Sequence, residues 1–200
     1  MPGYPLSGST RARWSDLARA VQLRMLLANL AVGVIAGLLA AHAGLHAGLP
    51  GHKVLFWLTP VLIARMLSRH PVGAMAGASA AAAAALAVGG SFAGAFVYLP
   101  LVVAAGGILD ALLAFANRRR LPMWLVVPLL GLGAAAANLL CAVNRLLVPV
   151  RREHLLLGLS GPSATLVSYA IFGLVAGLVG AAISTGVLAL LAHRRERSGG

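Results

Sequence analysis

From Leu49 to Asp110 the chain reads LPGHKVLFWLTPVLIARMLSRHPVGAMAGASAAAAAALAVGGSFAGAFVYLPLVVAAGGILD, three apolar runs broken only by short turns. The first run contains Pro60 and has Arg65 near its far end, the second is built of alanine and glycine, and the third carries one acid, Asp110. Each run is apolar around its whole circumference, so no stripe can turn to a core while the opposite face meets water. Segments of this kind belong in lipid. The rest of the chain repeats the pattern, and the sequence therefore predicts an all-α integral membrane protein.

Composition agrees. Of 200 residues, 60% are hydrophobic and 10% charged, where a soluble domain carries roughly 25% charged residues. The formal net charge is +12, a value that in a soluble protein would suggest nucleic acid. Binding of that kind needs a solvated basic face, whereas the arginines here sit at the edges of apolar runs, as the flanking charges of membrane helices do. No nucleic-acid partner is expected; the lipid bilayer is. The one cysteine, Cys141, lies inside an apolar run, which excludes a disulfide framework or a thiolate metal cluster and is read as packing.

Along the chain, Met1–Thr10 is rich in Pro, Gly and Ser and is expected to be disordered. Trp14, Leu17, Val21 and Met25 then recur at three- and four-residue steps between arginines, the pattern of an interfacial amphipathic helix, so residues 1–24 read as a cytoplasmic tail and surface helix. The Ala41-His42-Ala43 triplet after the first apolar run also imitates a signal-peptide cleavage site, but the long basic region and the further spans favour a retained helix. A six-helix membrane domain follows over residues 25–192, with spans expected at Met25–Ala43, Val54–Leu67, Val72–Val88, Ala95–Asn117, Met123–Val148 and Ser163–Ala192. Residues 193–200 form a basic tail. Most spans reach the ~20 residues that cross a ~30 Å hydrocarbon layer, but the second is too short to cross straight. No internal repeat is evident, so an inverted-repeat transporter is not indicated.

Basic residues set the expected orientation. With a cytoplasmic N-terminus, Arg11, Arg13, Arg19, Arg24, Arg65, Arg69, Arg118, Arg119, Arg120, Arg194, Arg195 and Arg197 fall inside, and only Lys53, Arg145, Arg151 and Arg152 outside. That asymmetry places both termini in the cytoplasm of a multi-pass cell-membrane protein.

Catalysis has little to build on. The acids are Asp16, Asp110, Glu153 and Glu196, which give no intramembrane carboxylate pair, and Gly158-Leu159-Ser160-Gly161-Pro162 lacks the last glycine of a nucleophile elbow. No enzyme activity and no cofactor are expected. The strongest repeated signal is small residues: Gly33 and Gly37, Gly73 and Gly77, Gly173 and Gly177 each form G-x-x-x-G, extended by Ala41, Ala81 and Ala181. In lipid, close backbone approach across such rows is what draws helices together. The sixth-span row reads as internal packing; the rows of the first and third spans admit either internal packing or a flat surface offered to another protein.

Arg65 and Asp110 are the ionisable residues nearest the hydrocarbon on the inner side, and the simplest account of two such charges is that they pair. On the outer side His42 and His46 are four apart, with His52 in the following loop, a workable transition-metal chelate if the helix continues. Asn138, Cys141 and Arg145 step along one face of the fifth span near Asn144, Arg151 and Arg152, and Trp57 and Tyr98 are among the aromatics at the same end. Amides and guanidinium beside aromatics suit a small anionic or heteroaromatic solute, although an interfacial aromatic belt accounts for most of the rings.

Leu49-Pro50-Gly51, Pro60, Ala64-Arg65 and Gly73-Ala74 with Gly77, set in six spans within 200 residues, resemble the substrate-binding (S) subunits of energy-coupling-factor transporters. The resemblance covers about residues 25–192. It implies a six-helix bundle that captures a vitamin-like solute outside, with Trp57, Tyr98, Asn138, Asn144, Arg145 and Arg151 as candidates for the solute site. It further implies that small residues on the first and third helices, here Ala36, Ala40, Gly73, Gly77 and Ala81, meet a transmembrane coupling subunit driven by ATPase subunits. Cobalt and nickel members bind metal through a histidine after the initiating methionine, where this chain has Pro2. The chain has no P-loop, so ATP would act through a partner. The competing classes are a self-contained homo-oligomeric transporter or channel and a non-transporting assembly subunit.

Overall fold

The computed structural model describes residues 8–42, 50–89, 98–147 and 161–198, with residues 8–15 and 144–147 described by their backbone alone. Among these residues there are six helices and no strand: α1 (Gly8–His42), α2 (Val54–Ser68), α3 (Gly73–Ala87), α4 (Tyr98–Arg118), α5 (Met123–Leu147) and α6 (Gly161–Ser198). Four segments are long and apolar enough to cross a membrane: Asp16–His42 in α1, α4, Met123–Val143 in α5, and α6. α2 and α3 are apolar but have 15 residues each, or about 22 Å at 1.5 Å per residue.

Two boundaries differ from the sequence reading. The amphipathic start and the first span form one continuous helix from Gly8, so the segment 8–10 is helical and not a disordered tail. The basic tail is likewise helical to Ser198, continuous with the sixth span. The apolar pattern marks where lipid contact ends, but Arg, Gln, Leu and Glu propagate a helix well and nothing at either junction breaks the hydrogen-bond ladder. Residues 95–97 and Val148, assigned to spans four and five, lie outside the described residues.

Close approach of backbones fixes the packing. A Cβ on Gly33 would fall on the carbonyl oxygen of Gly77, and one on Gly37 on that of Ala81. Because both numbers rise together, α1 and α3 run parallel. Gly106 brings α4 against Ala74 and Met75, with the carbonyl oxygen of Ala74 2.7 Å from where its Cβ would be. A Cβ on Gly173 or Gly177 would lie 2.6 Å from the carbonyl oxygen of Ala134 or Leu130 respectively, the falling order of an antiparallel α5–α6 pair. Gly180 lies over Thr59 and Leu62, so α6 runs with α2. Helix direction thus alternates along the chain, and α1 begins at the same end of the bundle at which α6 finishes. We call this the terminal end and its opposite the far end. α2, α3, α4, α5 and α6 close a ring, and α1 packs into the groove between α2 and α3. The core holds Trp57, Leu58, Leu62, Val102, Leu109 and Leu130, all at 1% exposure or less.

The rows of Ala36, Ala40, Gly73, Gly77 and Ala81 are therefore placed inside the chain. All five are buried, at the contact of α1 and α3 and beneath Val61 and Arg65 of α2. The small-residue rule foretells contact at backbone distance, and here the contact is supplied from within.

Candidate functional site

At the terminal end α2 and α3 form a tight helical hairpin. α2 stops at Arg69, which adopts a left-handed φ of 56° and returns its N–H to the Arg65 carbonyl. His70 and Pro71 make the turn, and the Gly73 N–H bonds to the His70 carbonyl at 3.1 Å. Every helix start leaves N–H groups with no partner in the helix, and Val72, before α3, has no side chain able to cap them.

Asp110 of α4 does so instead. Its Oδ1 accepts from the Ala74 N–H at 3.2 Å and its Oδ2 from the Met75 N–H at 2.9 Å. The same Oδ1 accepts from Arg65 Nε at 2.5 Å. One carboxylate therefore joins α2, α3 and α4, and both charged residues are nearly enclosed, Arg65 at 4% exposure and Asp110 at 7%. The anion sits at the positive end of the α3 dipole, which favours it independently of the arginine. Two ions taken from water cost several kcal/mol each, and such a pair is stable only when the remaining lone pairs are also occupied. The two backbone donors meet that condition. The expected Arg65–Asp110 pair is present in the structure.

Around it lies a polar cluster the sequence reading did not include. Asn29 of α1, at 1% exposure, donates from Nδ2 to the Met25 carbonyl and to Ser68 Oγ, each at 2.7 Å. Its Oδ1 has no hydrogen-bond partner, and neither does Nδ1 of buried His70. A Cβ on Gly73 would lie 2.8 Å from Arg65 Cδ and 2.9 Å from Asn29 Oδ1, so the absence of a side chain there is what lets both residues pass over the start of α3. The signal was available: Asn29 is the one amide in the apolar stretch Met25–His42.

A second cluster occupies the far end. Buried Asn138 of α5 donates from Nδ2 to the Tyr169 carbonyl of α6 at 2.7 Å, and Cys141 shares a side-chain hydrogen bond with Tyr98 of α4. Ser168 Oγ donates to the Pro50 carbonyl at 2.6 Å. Gly51, at φ +85°, presses on the Tyr169 ring, where a Cβ would come within 2.9 Å. Trp57 is buried among the same helices. Of the six candidates for a solute site, Trp57, Tyr98 and Asn138 thus belong to the far-end half of the bundle. Asn144 and Arg145 are described by backbone alone, and Arg151 lies outside the described residues.

His42 is exposed at the end of α1, and His52 packs edge-on against Phe172 with ring centroids 6.3 Å apart. His46 lies outside the described residues. No group of three or more His, Cys, Asp or Glu side chains that could hold a metal ion occurs among the described residues. Compared with protein-family models, with curated proteins and with solved structures, the chain matches none.

Proposed function

We propose that this chain is a multi-pass membrane protein in which all six helices lie within the bilayer, the terminal end facing the cytoplasm, and that it captures a small solute at its far end for import. The observation that carries this reading is that Trp57, Tyr98, Asn138 and Tyr169, from α2, α4, α5 and α6, all lie in the half of the bundle away from the arginines of the two termini. Apolar walls with a few fixed polar groups are the usual make-up of a small-molecule pocket, and in the sequence Arg145, Arg151 and Arg152 run against the positive-inside bias. Something other than topology keeps them there, and an anionic or heteroaromatic solute is the class they suit.

A capture subunit of the energy-coupling-factor kind accounts for six helices in a short chain with no nucleotide-binding loop. In that reading a coupling subunit and its ATPases supply the energy. With the small-residue rows internal, the partner meets the exposed apolar side of α1, where Val34, Ile35 and Leu39 stand out from the bundle.

Native mass spectrometry of the purified protein tests the proposal, looking for a co-purified organic solute. Arg145→Ala should then weaken that solute by about 1.5–3 kcal/mol, the worth of a charge-assisted hydrogen bond, with expression unchanged. A stoichiometric metal lost on His42→Ala or His46→Ala would replace the organic solute with Co²⁺ or Ni²⁺. Folded protein that carries neither, and is stabilised by no small solute in a thermal-shift screen, would refute solute capture.

A further inference from the structure

The α2–α3 turn does not reach the terminal end of the bundle. Asp110 is level with the start of α3, yet α4 continues eight residues to Arg118, about 12 Å. α5 begins ten residues before Gly133, which faces Leu109 and Leu112 of α4, about 15 Å on the same scale. Past the level where Gly180 meets Leu62, α6 has eighteen residues left and α2 six. α1 likewise runs on beyond Asn29, the residue that bonds Ser68. The turn is set back from every neighbour.

The overhanging parts of α4, α5 and α6 carry outward-facing apolar residues, with Phe115 49%, Trp124 72% and Leu190 67% exposed. Those surfaces belong in hydrocarbon, which puts the level of the turn inside the layer. None of the described residues covers it there: Arg69 and Pro71 are exposed and Val72 is 41% exposed. An exposed turn and an arginine at membrane depth persist only inside protein or against water. The described residues leave Arg69, Pro71 and Val72 of this turn open. Two buried polar atoms beside it, Asn29 Oδ1 and His70 Nδ1, lack protein partners, as groups served by ordered water do.

We infer that the α2–α3 turn is the floor of a water-filled recess opening at the terminal end, which admits small hydrated anions to within one side chain of the buried Arg65–Asp110 pair. Arg69 stands on the floor and Arg118, Arg119 and Arg120 at the rim, while the carboxylate at the floor is already engaged by Arg65. A low-dielectric cleft lined with one sign of charge concentrates ions of the other. This inference is independent of solute capture at the far end.

Cysteine accessibility tests it in oriented membrane vesicles, on a Cys141→Ala background. Val72→Cys probes the floor and Leu132→Cys a lipid-facing position at about the same depth; Pro71→Cys replaces the former if it does not fold. Two impermeant thiol reagents are applied from the terminal side, anionic sulfonatoethyl and cationic trimethylammonioethyl methanethiosulfonate. The floor cysteine should react and Leu132→Cys should not. Corrected for each reagent's rate with a free thiol, the anionic one should be favoured several-fold. An unreactive floor cysteine would mean a sealed turn, and equal reaction at Leu132→Cys would mean that this end stands clear of the bilayer. Either result overturns the recess. A preference for the cationic reagent, or none, overturns the anion selectivity.

Discussion

Asp110→Asn is the most informative single change. The amide keeps the shape of the carboxylate but loses its charge and replaces one acceptor with a donor. Its NH2 group must then face either Arg65 Nε and the Ala74 N–H, which now bond Oδ1, or the Met75 N–H, which now bonds Oδ2. Arg65, at 4% exposure, is left without its counter-charge, and breaking a buried pair in this way costs about 3–5 kcal/mol. Arg65→Met should cost less, roughly 1–3 kcal/mol, because the carboxylate keeps two backbone donors and a helix N-terminus worth up to ~2 kcal/mol in a partly buried site. Arg65→Met combined with Asp110→Asn removes both charges and leaves an amide oxygen to cap α3. The double variant should therefore be more stable than Asp110→Asn alone, with a coupling of about 2 kcal/mol. Equilibrium unfolding by denaturing detergent in mixed micelles measures all four proteins, with Trp14 and Trp124 replaced by Phe so that buried Trp57 reports. Additivity within about 0.5 kcal/mol, or an Asp110→Asn variant as stable as the parent, would refute the reasoning.

Other expectations are simpler to check. Gly37→Val puts a side chain onto the Ala81 carbonyl and should lower stability by about 1–3 kcal/mol as an overpacked contact, read in the same titration. Gly107→Ala, whose Cβ would meet nothing within 4 Å, should raise it by roughly 0.5–1 kcal/mol through helix propensity. Gly51→Ala should destabilise by more than the ~0.4–1 kcal/mol such a change gains at a compatible site, since it strains a φ of +85° and strikes the Tyr169 ring; the unfolding midpoint decides. A phosphatase fused after Gly200 should be inactive and a fluorescent protein there bright, as a cytoplasmic terminus requires; an active phosphatase would reverse the orientation.

The boundaries of α2 and α3 were legible because these segments are apolar on all sides and their ends carry Pro, Gly or arginine. α2 and α3 match their expected spans to within one residue at each end. The Arg65–Asp110 pair was legible because opposite charges in apolar surroundings have few other partners. What Asp110 also does for α3 was not read. The hint was a helix start, His70-Pro71-Val72-Gly73, with no Ser, Thr, Asp or Asn to cap it, but only the fold brings a distant acid to that point. The glycine rows were legible as sites of close approach, yet spacing gives a distance and not the identity of the neighbour. Ser168 and Tyr169 were missed because a hydroxyl and a ring inside an apolar span look like ordinary filling until Pro50 and Gly51 are folded back onto them.

Because one carboxylate joins three helices, the order in which they leave the ribosome matters. Arg65 and the open start of α3 are both synthesised before Asp110. Until α4 arrives, the nascent chain holds an arginine without its acid and a helix end without its cap, the kind of intermediate that insertion machinery must shield or let slide back. Chains terminated between Ala87 and Asp110 should therefore be recognised by membrane proteases and cleared, while chains ending after Arg118 have the acid that lets the first half stay in place. A carboxylate late in the sequence thereby sets the earliest length at which the growing chain is safe to release.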